Sequence, residues 1–266
     1  MSAATALRLQ IEHALQNRFP AALTPAPRTI REVATTGIAE ADGLLDGGLP
    51  VGAISELAGP ECSGRTSLAL AFVAQRTAAG QVCAWIDASD SLDPESAAAS
   101  GVRLRQLLWV RCRDASNQAP KARWKSEEKP WSRLDQALRV TDLLLQAGGF
   151  AAIVLDLGSM DQAHGMLIPL ASWFRFRQAT DRTRCSLVVL GRASFAQSSA
   201  AVVIDCAATR AQSLGGTVLT AGSFEFSCRC QRFTQQMAGM RKPIASIGTV
   251  QASWTAKAAW SSERQA

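Results

Sequence analysis

Few histidines, no tyrosine and no long apolar run set the first limits on this sequence of 266 residues. Two histidines, together with cysteines that mostly stand singly in apolar stretches, argue against a dedicated metal centre. Cys228 and Cys230 are two positions apart, which suits neither a zinc knuckle nor a C-x-x-C redox pair. No apolar run reaches the length of a membrane span, and the N-terminus lacks the apolar core of a signal peptide. We therefore expect a cytoplasmic protein with reduced cysteines and no membrane contact.

Positive charge is concentrated in one part of the chain. Residues 103–133 hold nine basic and three acidic residues, an excess equal to the net charge of +6 of the whole sequence. Tryptophans are interleaved with these charges, and a basic stretch with aromatic side chains can grip single-stranded DNA and stack its bases. A solvated loop that keeps the protein soluble is the open alternative. The candidate DNA contacts are Lys121, Arg123, Lys125 and Lys129.

A glycine loop is the strongest local signal. Residues 59–66 read G-P-E-C-S-G-R-T, which fits the phosphate-binding pattern G-x-x-x-x-G-K-[ST] except that Arg65 stands at the lysine. Residues 53–58 predict a buried strand and residues 66–79 a helix, so backbone N–H groups and a helix N-terminus would converge on one anion. Thr66 would offer its hydroxyl to Mg²⁺, and Arg65 keeps the positive charge on a wider planar group. The alternative is a glycine-rich turn without a ligand. The predicted nucleotide contacts are Gly59, Pro60, Glu61, Cys62, Ser63, Gly64, Arg65, Thr66 and Ser67.

A second half of the site is predicted at Asp156. Residues 150–156 read as an apolar strand that ends in this aspartate, roughly ninety residues after the glycine loop. A carboxylate at the end of a central strand can orient Mg²⁺ through water. Residues 166–178 then read as a helix, and residues 186–190, 201–205 and 224–233 read as strands. The alternation of strands and helices predicts an α/β fold with a mostly parallel sheet and helices on both faces. Ligands of such sheets bind at the carboxyl ends of the strands, where both the loop and Asp156 would lie.

Both ends of the chain lie outside the predicted core domain, residues 28–240. Residues 1–27 read as an amphipathic helix with a proline-rich linker, and its apolar stripe includes Leu7, Ile11 and Leu15. Residues 241–266 read as a flexible polar tail that carries Trp254 and Trp260. Because aromatic anchors dominate interface energies, we expect the two ends to bind partners. The alternatives are that the N-terminal helix packs on its own core and that the tryptophans fold back onto the domain.

Together these pieces resemble RecA-type recombinases. The G-G-L-P-V-G of residues 47–52 and the glycine loop are similar to the family's G-G-L-P-x-G and G-P-E-S-S-G-K-T. The I-D-A of residues 86–88 and the L-D-P of residues 92–94 are similar to its I-D-A-E-H-A-L-D-P. The resemblance covers residues 36–206 and implies a RecA-like P-loop core that binds ATP or ADP with Mg²⁺. It also implies that Asp93 is a nucleotide contact, and that Thr66 and Asp156 hold the metal.

Several positions depart from the RecA pattern. Ser89 stands where the family has its catalytic glutamate, and a hydroxyl cannot orient an attacking water as a carboxylate would. Asp90 comes one residue late, and a shift of one residue at a strand end turns the side chain the other way. Ser96 replaces the tyrosine that stacks on adenine, and Gly191-Arg192 replaces an Asn-Gln pair that senses nucleotide. We therefore predict weak or absent ATP hydrolysis and no catalytic residue.

A RecA-type core with a degenerate site and shortened DNA-binding loops, residues 158–165 and 193–200, is similar to the ImuA family. The resemblance implies an accessory protein of the SOS response that supports translesion synthesis after DNA damage. It implies binding to RecA and to a Y-family-polymerase-like protein of the mutasome, and possible contact with single-stranded DNA. Three alternatives stay open. The protein could be an active DNA-dependent ATPase recombinase that uses Asp90 or Glu61 as its base, a SulA-like cell-division inhibitor, or a RecA fold with another binding role.

Overall fold

Short apolar stretches alternate with amphipathic ones along the chain, and each forms a strand or a helix. The computed structural model describes residues 32–113, 132–160, 165–214, 218–231 and 249–255. Its helices are α1 (Ala39–Leu44), α2 (Arg65–Ala78), α3 (Pro94–Ala99), α4 (Arg133–Ala147) and α5 (Leu170–Thr183). Its strands are β1 (Val33–Ala34), β2 (Leu49–Pro50), β3 (Ile54–Ala58), β4 (Cys83–Asp87), β5 (Leu107–Arg111), β6 (Ala152–Asp156), β7 (Ser186–Gly191), β8 (Val202–Leu214), β9 (Val218–Gln231) and β10 (Thr249–Thr255).

Eight of these strands form one sheet, in the order β10-β9-β8-β3-β7-β6-β4-β5. Strands β3 to β7 are parallel, and β8 joins them parallel to β3. Strands β8, β9 and β10 pair antiparallel with one another. Every residue of β3, β4, β6 and β7 is buried, as expected for parallel strands that are covered on both faces. The predicted α/β fold with a mostly parallel sheet is confirmed.

Helices cover both faces of the sheet, because successive side chains of each strand point to opposite sides. Trp85 of β4 lies in the apolar cluster on one face, together with Phe72 of α2. Its neighbour Ile86 lies in the cluster on the other face, together with Trp173 and Phe176 of α5. All five side chains are fully buried. Two apolar layers therefore fix the central strands, and with them the loops at the carboxyl ends of those strands.

Some elements differ from the predicted bounds. The helix predicted at residues 166–178 is α5, which begins only after Pro169, where φ is −60° and the backbone is extended. The strands predicted at 201–205 and 224–233 are the long arms of a hairpin, β8 and β9. Residues 206–214 lack a strong apolar pattern, and antiparallel pairing with β9 supplies the backbone hydrogen bonds that keep this segment extended.

The prediction of a flexible C-terminal tail is wrong for seven residues. Thr249–Thr255 form β10, which pairs antiparallel with β9, and Ala252 is buried in the apolar cluster that includes Phe72. Trp254 lies within this strand. The rest of the predicted tail, the predicted N-terminal helix and linker (residues 1–27), and the basic residues 121–129 lie outside the described residues. Within the described ranges, no helix is both long enough and apolar enough to cross a membrane.

Candidate functional site

The glycine loop joins the carboxyl end of β3 to the N-terminus of α2. Cys62 and Gly64 have positive φ values, 59° and 87°, whereas Ser63 between them does not. This alternation turns successive N–H groups toward one side of the backbone and forms an anion-binding concavity. In the described parts of the chain, no hydrogen bond uses the backbone N–H groups of residues 62–66. These donors and the positive end of the α2 dipole therefore fit a phosphate group.

Gly64 is fixed as glycine by its surroundings. Its φ of 87° is a conformation that other residues rarely adopt, and a Cβ atom here would lie 2.5 Å from the ring of Phe224 in β9. Phe224 is itself buried and lies near-parallel to Phe226, with ring centroids 6.4 Å apart. The antiparallel part of the sheet thus packs against the glycine loop and supports its shape.

Arg65 does not behave as a surface cation. It is the first residue of α2 and only 7% exposed. Its Nη1 donates to the carbonyl of Gly59 at 2.5 Å, and its Nη2 donates to the carbonyl of Gly158 at 2.9 Å. Burial lowers the pKa of Arg65, and the nearby Asp156 carboxylate opposes that effect. The guanidinium group therefore clamps the start of the glycine loop to the turn that follows β6.

Asp156 lies where the sequence predicts it, at the carboxyl end of β6, with one strand between β6 and β3. Its Oδ1 accepts a hydrogen bond from the N–H of Gly158 at 2.8 Å, and Gly158 in turn accepts from Arg65. Burial raises the pKa of Asp156 to about 6, so the carboxyl group is still largely ionised at neutral pH. The structure therefore brings the glycine loop and Asp156 together through a chain of two hydrogen bonds.

A magnesium ion would find few protein ligands at this edge. Among the described residues, no group of three or more His, Cys, Asp or Glu side chains could hold a metal ion. Thr66 is exposed at the first turn of α2, and Asp156 is the nearby carboxylate with a raised pKa. Such a site fits Mg²⁺ only when phosphate oxygens and water complete its coordination, which is the usual arrangement for this ion.

Asp87, at the end of β4, pairs in register with Asp156 and is fully buried. Its carboxylate accepts from the N–H groups of Ser91 and Leu92 at 3.1 and 2.9 Å, and from Nε1 of Trp109 at 3.3 Å. The two backbone donors hold the loop between β4 and α3, and the Trp109 donor comes from β5. Asp87 is therefore a residue that shapes the edge of the site.

Ser89 and Asp90 follow in this loop. The Ser89 hydroxyl accepts a hydrogen bond from the N–H of Ser159 at 3.0 Å, which places it beside the turn after β6. The Asp90 carboxylate instead accepts two hydrogen bonds from Arg111 of β5, at 2.6 and 3.0 Å. This pairing draws Asp90 toward the outermost strand, and the hydrogen bond to Arg111 lowers the pKa of Asp90. A carboxylate with a lowered pKa is a weak base, so Asp90 is poorly suited to replace the missing glutamate.

Glu61, the other carboxylate that could act as a base, forms an ion pair with Arg192. Arg192 directly follows β7, whose Gly191 carbonyl accepts from the N–H of Gly59 at 3.1 Å. The side chains of Arg192 and Glu61 are 46% and 68% exposed, so solvent reaches this pair. The ion pair joins the glycine loop to the position where the RecA pattern has its nucleotide-sensing residues.

Sequence reasoning missed Glu56, a fully buried carboxylate in β3. Its Oε1 accepts from the N–H groups of Phe195 and Ala196 at 2.6 and 2.8 Å, and its Oε2 accepts from the Ser194 hydroxyl at 2.6 Å. The turn after β7 is therefore fixed to the strand that leads into the glycine loop. The sequence did carry a signal for this contact, because a glutamate stands within the apolar stretch I-S-E-L-A. A carboxylate that is buried in a strand needs hydrogen-bond or charged partners.

Asp93 acts as the N-cap of α3. Its carboxylate accepts from the N–H and the hydroxyl of Ser96 at 2.9 and 2.5 Å, and from the N–H of Glu95 at 3.3 Å. Its contact with a nucleotide stays a prediction. Lys121, Arg123, Lys125 and Lys129 lie outside the described residues, so the structure does not place them in relation to the site.

A cavity of about 490 Å³ lies at the opposite end of the sheet. Its lining includes Val82 and Phe150, which precede β4 and β6, and Thr183 and Arg184 at the end of α5. The glycine loop lies at the carboxyl ends of the parallel strands, and this cavity lies at their amino ends. The cavity is therefore separate from the candidate site.

Comparison with known proteins finds sequence similarity in the part of the chain that contains the glycine loop. Residues 8–122 match the RecA N-terminal domain family. The chain is 37% identical to Protein RecA of Deinococcus radiodurans over 126 residues, which are 47% of this chain and 30% of that protein. It is 38% identical to Protein RecA of Azospirillum lipoferum over 126 residues and to that of Pseudomonas fluorescens over 110 residues. The match to the Deinococcus and Azospirillum proteins spans 30% of the length of each.

The fold comparison extends further along the chain. The crystal structure of the RadB recombinase superimposes with a TM-score of 0.52 at 17% sequence identity, over 76% of this chain and 91% of that one. At this identity the likeness concerns the fold. The chain is therefore RecA-like, similar to the RecA N-terminal domain in sequence and to RadB in fold.

Proposed function

We propose that this RecA-like protein binds ATP or ADP with Mg²⁺ at the glycine loop and hydrolyses it slowly, if at all. The proposal of slow turnover rests on one observation, which is that both carboxylates able to replace the catalytic base are already paired with arginines. Ser89 stands at the position of the base, Asp90 is bonded to Arg111, and Glu61 is paired with Arg192. Loss of a general base typically costs about 10²–10⁴-fold in rate. The loop backbone that binds phosphate is intact, and the machinery for turnover is weakened.

The phosphate groups would be held mainly by backbone donors. The N–H groups of residues 62–66 and the N-terminus of α2 supply them, and Arg192 adds a solvent-accessible positive charge beside the loop. Thr66 would bind Mg²⁺ through its hydroxyl, and Asp156 through water. When bound, Mg²⁺ neutralises part of the phosphate charge. Arg65 contributes by keeping the loop and the turn after β6 in place.

We further propose an accessory role of the ImuA type, in the cytoplasm, in translesion synthesis after DNA damage. The partners would be RecA and a Y-family-polymerase-like protein, and single-stranded DNA would bind weakly to the basic segment. A RecA-like fold with a weakened catalytic edge supports binding rather than strand exchange as the role. The turn after β7 is also held by the buried Glu56, which supports a fixed surface at the place of a DNA-binding loop.

Nucleotide binding and turnover test the first part of this proposal. We expect a fluorescent ATP analogue to bind weakly, and steady-state hydrolysis to stay far below recombinase rates with or without single-stranded DNA. Ser89→Glu should raise hydrolysis if a base is the main deficit. Adding Arg65→Lys should raise it further only if residue 65 acts on the phosphate rather than as a clamp between the carbonyls of Gly59 and Gly158. Wild-type turnover at recombinase rates would instead identify an active DNA-dependent ATPase.

Affinity purification from damaged cells of the source organism tests the partner role. We expect RecA and a polymerase-like protein to co-purify with the tagged protein. A tubulin-like partner in their place would favour the division-inhibitor alternative.

A further inference from the structure

Helix α5 has apolar side chains both on its buried face and on part of its exposed face. One face carries Trp173 and Phe176, which are fully buried against the sheet. Four exposed apolar residues lie on the outer side of the helix and in the turn before it, and we call them the α5 patch. Their exposed fractions are 50% for Met166, 75% for Leu167, 56% for Leu170 and 55% for Phe174. The core of this domain therefore does not explain why the outer side of α5 is apolar.

The α5 patch is concentrated in a short stretch. Eight large apolar residues in the described ranges are exposed, and four of them lie between residues 166 and 174. Leu170 and Phe174 are four positions apart on the helix, so their side chains are neighbours on one face, about 6 Å apart along the axis. Leu167 comes three residues before Leu170, ahead of the N-cap Pro169. Clustered exposed apolar side chains mark interaction surfaces, whereas single ones need no explanation.

Two arginines border the patch on opposite sides. Each residue of a helix is rotated by about 100° around the axis from the one before it. Arg175 therefore lies about 100° from Phe174 on one side, and Arg177 lies about 60° from Phe174 on the other side. Both residues are exposed. The Arg175 side chain is 61% exposed, and its Nη2 lies 3.9 Å from Oδ2 of Asp142 on α4, at the outer limit of an ion pair. An apolar stripe with a cation on each side is complementary to an apolar stripe with acidic residues on each side.

We propose that the α5 patch is the docking surface for an acidic amphipathic helix of a partner protein. The partner's apolar stripe packs on Leu167, Leu170 and Phe174, and its flanking carboxylates pair with Arg175 and Arg177. Helix-in-groove recognition uses this spacing of anchors. The patch is too small for a membrane-surface helix, which buries a broad apolar face, because the other large apolar side chains of α5, Trp173 and Phe176, are already buried in the domain. This inference extends the partner-binding part of the proposed function and does not depend on nucleotide binding.

A display library of randomised helical peptides is the probe for this surface. The immobilised wild-type protein should enrich amphipathic sequences that carry Asp or Glu beside the apolar stripe. Selected peptides should bind Phe174→Asp and Leu170→Asp at least about tenfold more weakly, as expected for central anchors. The double variant Arg175→Glu/Arg177→Glu should select peptides with basic flanks instead. Leu143→Asp is the matched control, because Leu143 is 58% exposed on α4 and outside the patch.

Several outcomes would overturn the proposal. One is enrichment of no amphipathic sequence, and another is enrichment of peptides that bind Phe174→Asp as well as wild type. If no peptide is selected but the protein binds anionic vesicles, and Phe174→Asp abolishes that binding, the patch is a membrane-binding surface instead. Circular dichroism confirms that each variant is folded. Binding of the fluorescent ATP analogue should be unchanged in all variants, and its absence in the wild type would count against the nucleotide proposal alone.

Discussion

Replacing Arg65 tests whether this residue is a structural clamp or a phosphate ligand. Its guanidinium group is buried and donates to the carbonyls of Gly59 and Gly158. A hydrogen bond from a charged donor contributes about 1.5–3 kcal/mol, so two of them contribute roughly 3–6 kcal/mol. Removing the cation also relieves the cost of keeping its charge away from water, which offsets part of this loss. For Arg65→Ala we therefore expect the free energy of unfolding to fall by about 3 kcal/mol.

Arg65→Lys separates the charge from the shape of the group. An ammonium keeps the positive charge but lacks the planar fork that reaches both carbonyls. It should satisfy one carbonyl at a time and lose about half as much stability as the alanine variant, roughly 1–2 kcal/mol. If Arg65 were mainly a phosphate ligand, lysine would leave stability unchanged and strengthen nucleotide binding.

Urea and thermal unfolding, followed by tryptophan fluorescence and circular dichroism, measure these differences. For a domain of this size, a loss of about 3 kcal/mol lowers Tm by roughly 6–12 °C. Arg192→Ala is the control, because its ion pair with Glu61 is exposed to solvent and should contribute less than about 1 kcal/mol. An Arg65→Ala protein as stable as Arg192→Ala would refute the clamp.

Three further changes test other parts of the structure. Asp156→Asn should raise stability at pH 7 by up to about 3 kcal/mol, because the folded pKa is about 6 against an ordinary 3.8, and the contribution of Asp156 to stability therefore falls as the pH rises from 4 to 6. A Tm advantage of Asp156→Asn over the wild type that does not grow over this interval would contradict this sign. Changing Lys121, Arg123, Lys125 and Lys129 to alanine should flatten the salt dependence of single-stranded DNA binding by roughly one unit per lost contact, and an unchanged slope would make the segment a solvated loop. Ending the chain at residue 248 should lower Tm because β10 and the buried Ala252 are lost. Ending it at residue 255 should leave Tm unchanged if the rest of the tail is flexible, as the sequence predicts.

Sequence patterns predicted the central sheet because its strands are buried on both faces and read as continuous apolar runs. The glycine loop and Asp156 could be placed at the same edge for the same reason, since parallel strands bring their carboxyl ends together. β10 could not be recognised in this way. Its residues T-V-Q-A-S-W-T are mostly polar or small, and the neighbouring strand β9 supplies the pairing that orders them.

The contacts of the charged residues were not readable from the sequence. Arg65 and Gly158 are 93 positions apart, and Arg192 and Glu61 are 131 apart. The sequence identified Arg65 and Arg192 as departures from the RecA pattern, but a local pattern cannot tell which carbonyl or carboxylate a long side chain reaches. Glu56 illustrates the same limit, because its partners lie 138 to 140 residues away.

Arg192 and Arg65 differ in the free energy needed to release them from their present partners, and this difference indicates which of them would bind a phosphate group of the nucleotide. A phosphate that attracts Arg192 has only to displace Glu61 from an exposed ion pair, at a cost below about 1 kcal/mol. A phosphate that attracts Arg65 has to break two buried hydrogen bonds, at a cost of about 3 kcal/mol. The difference of about 2 kcal/mol favours Arg192 by roughly thirtyfold. Arg192→Ala should therefore weaken binding of the ATP analogue while leaving the fold intact, and Glu61→Gln should strengthen it. Equal affinities of wild type and Arg192→Ala for the analogue would exclude Arg192 as the phosphate contact.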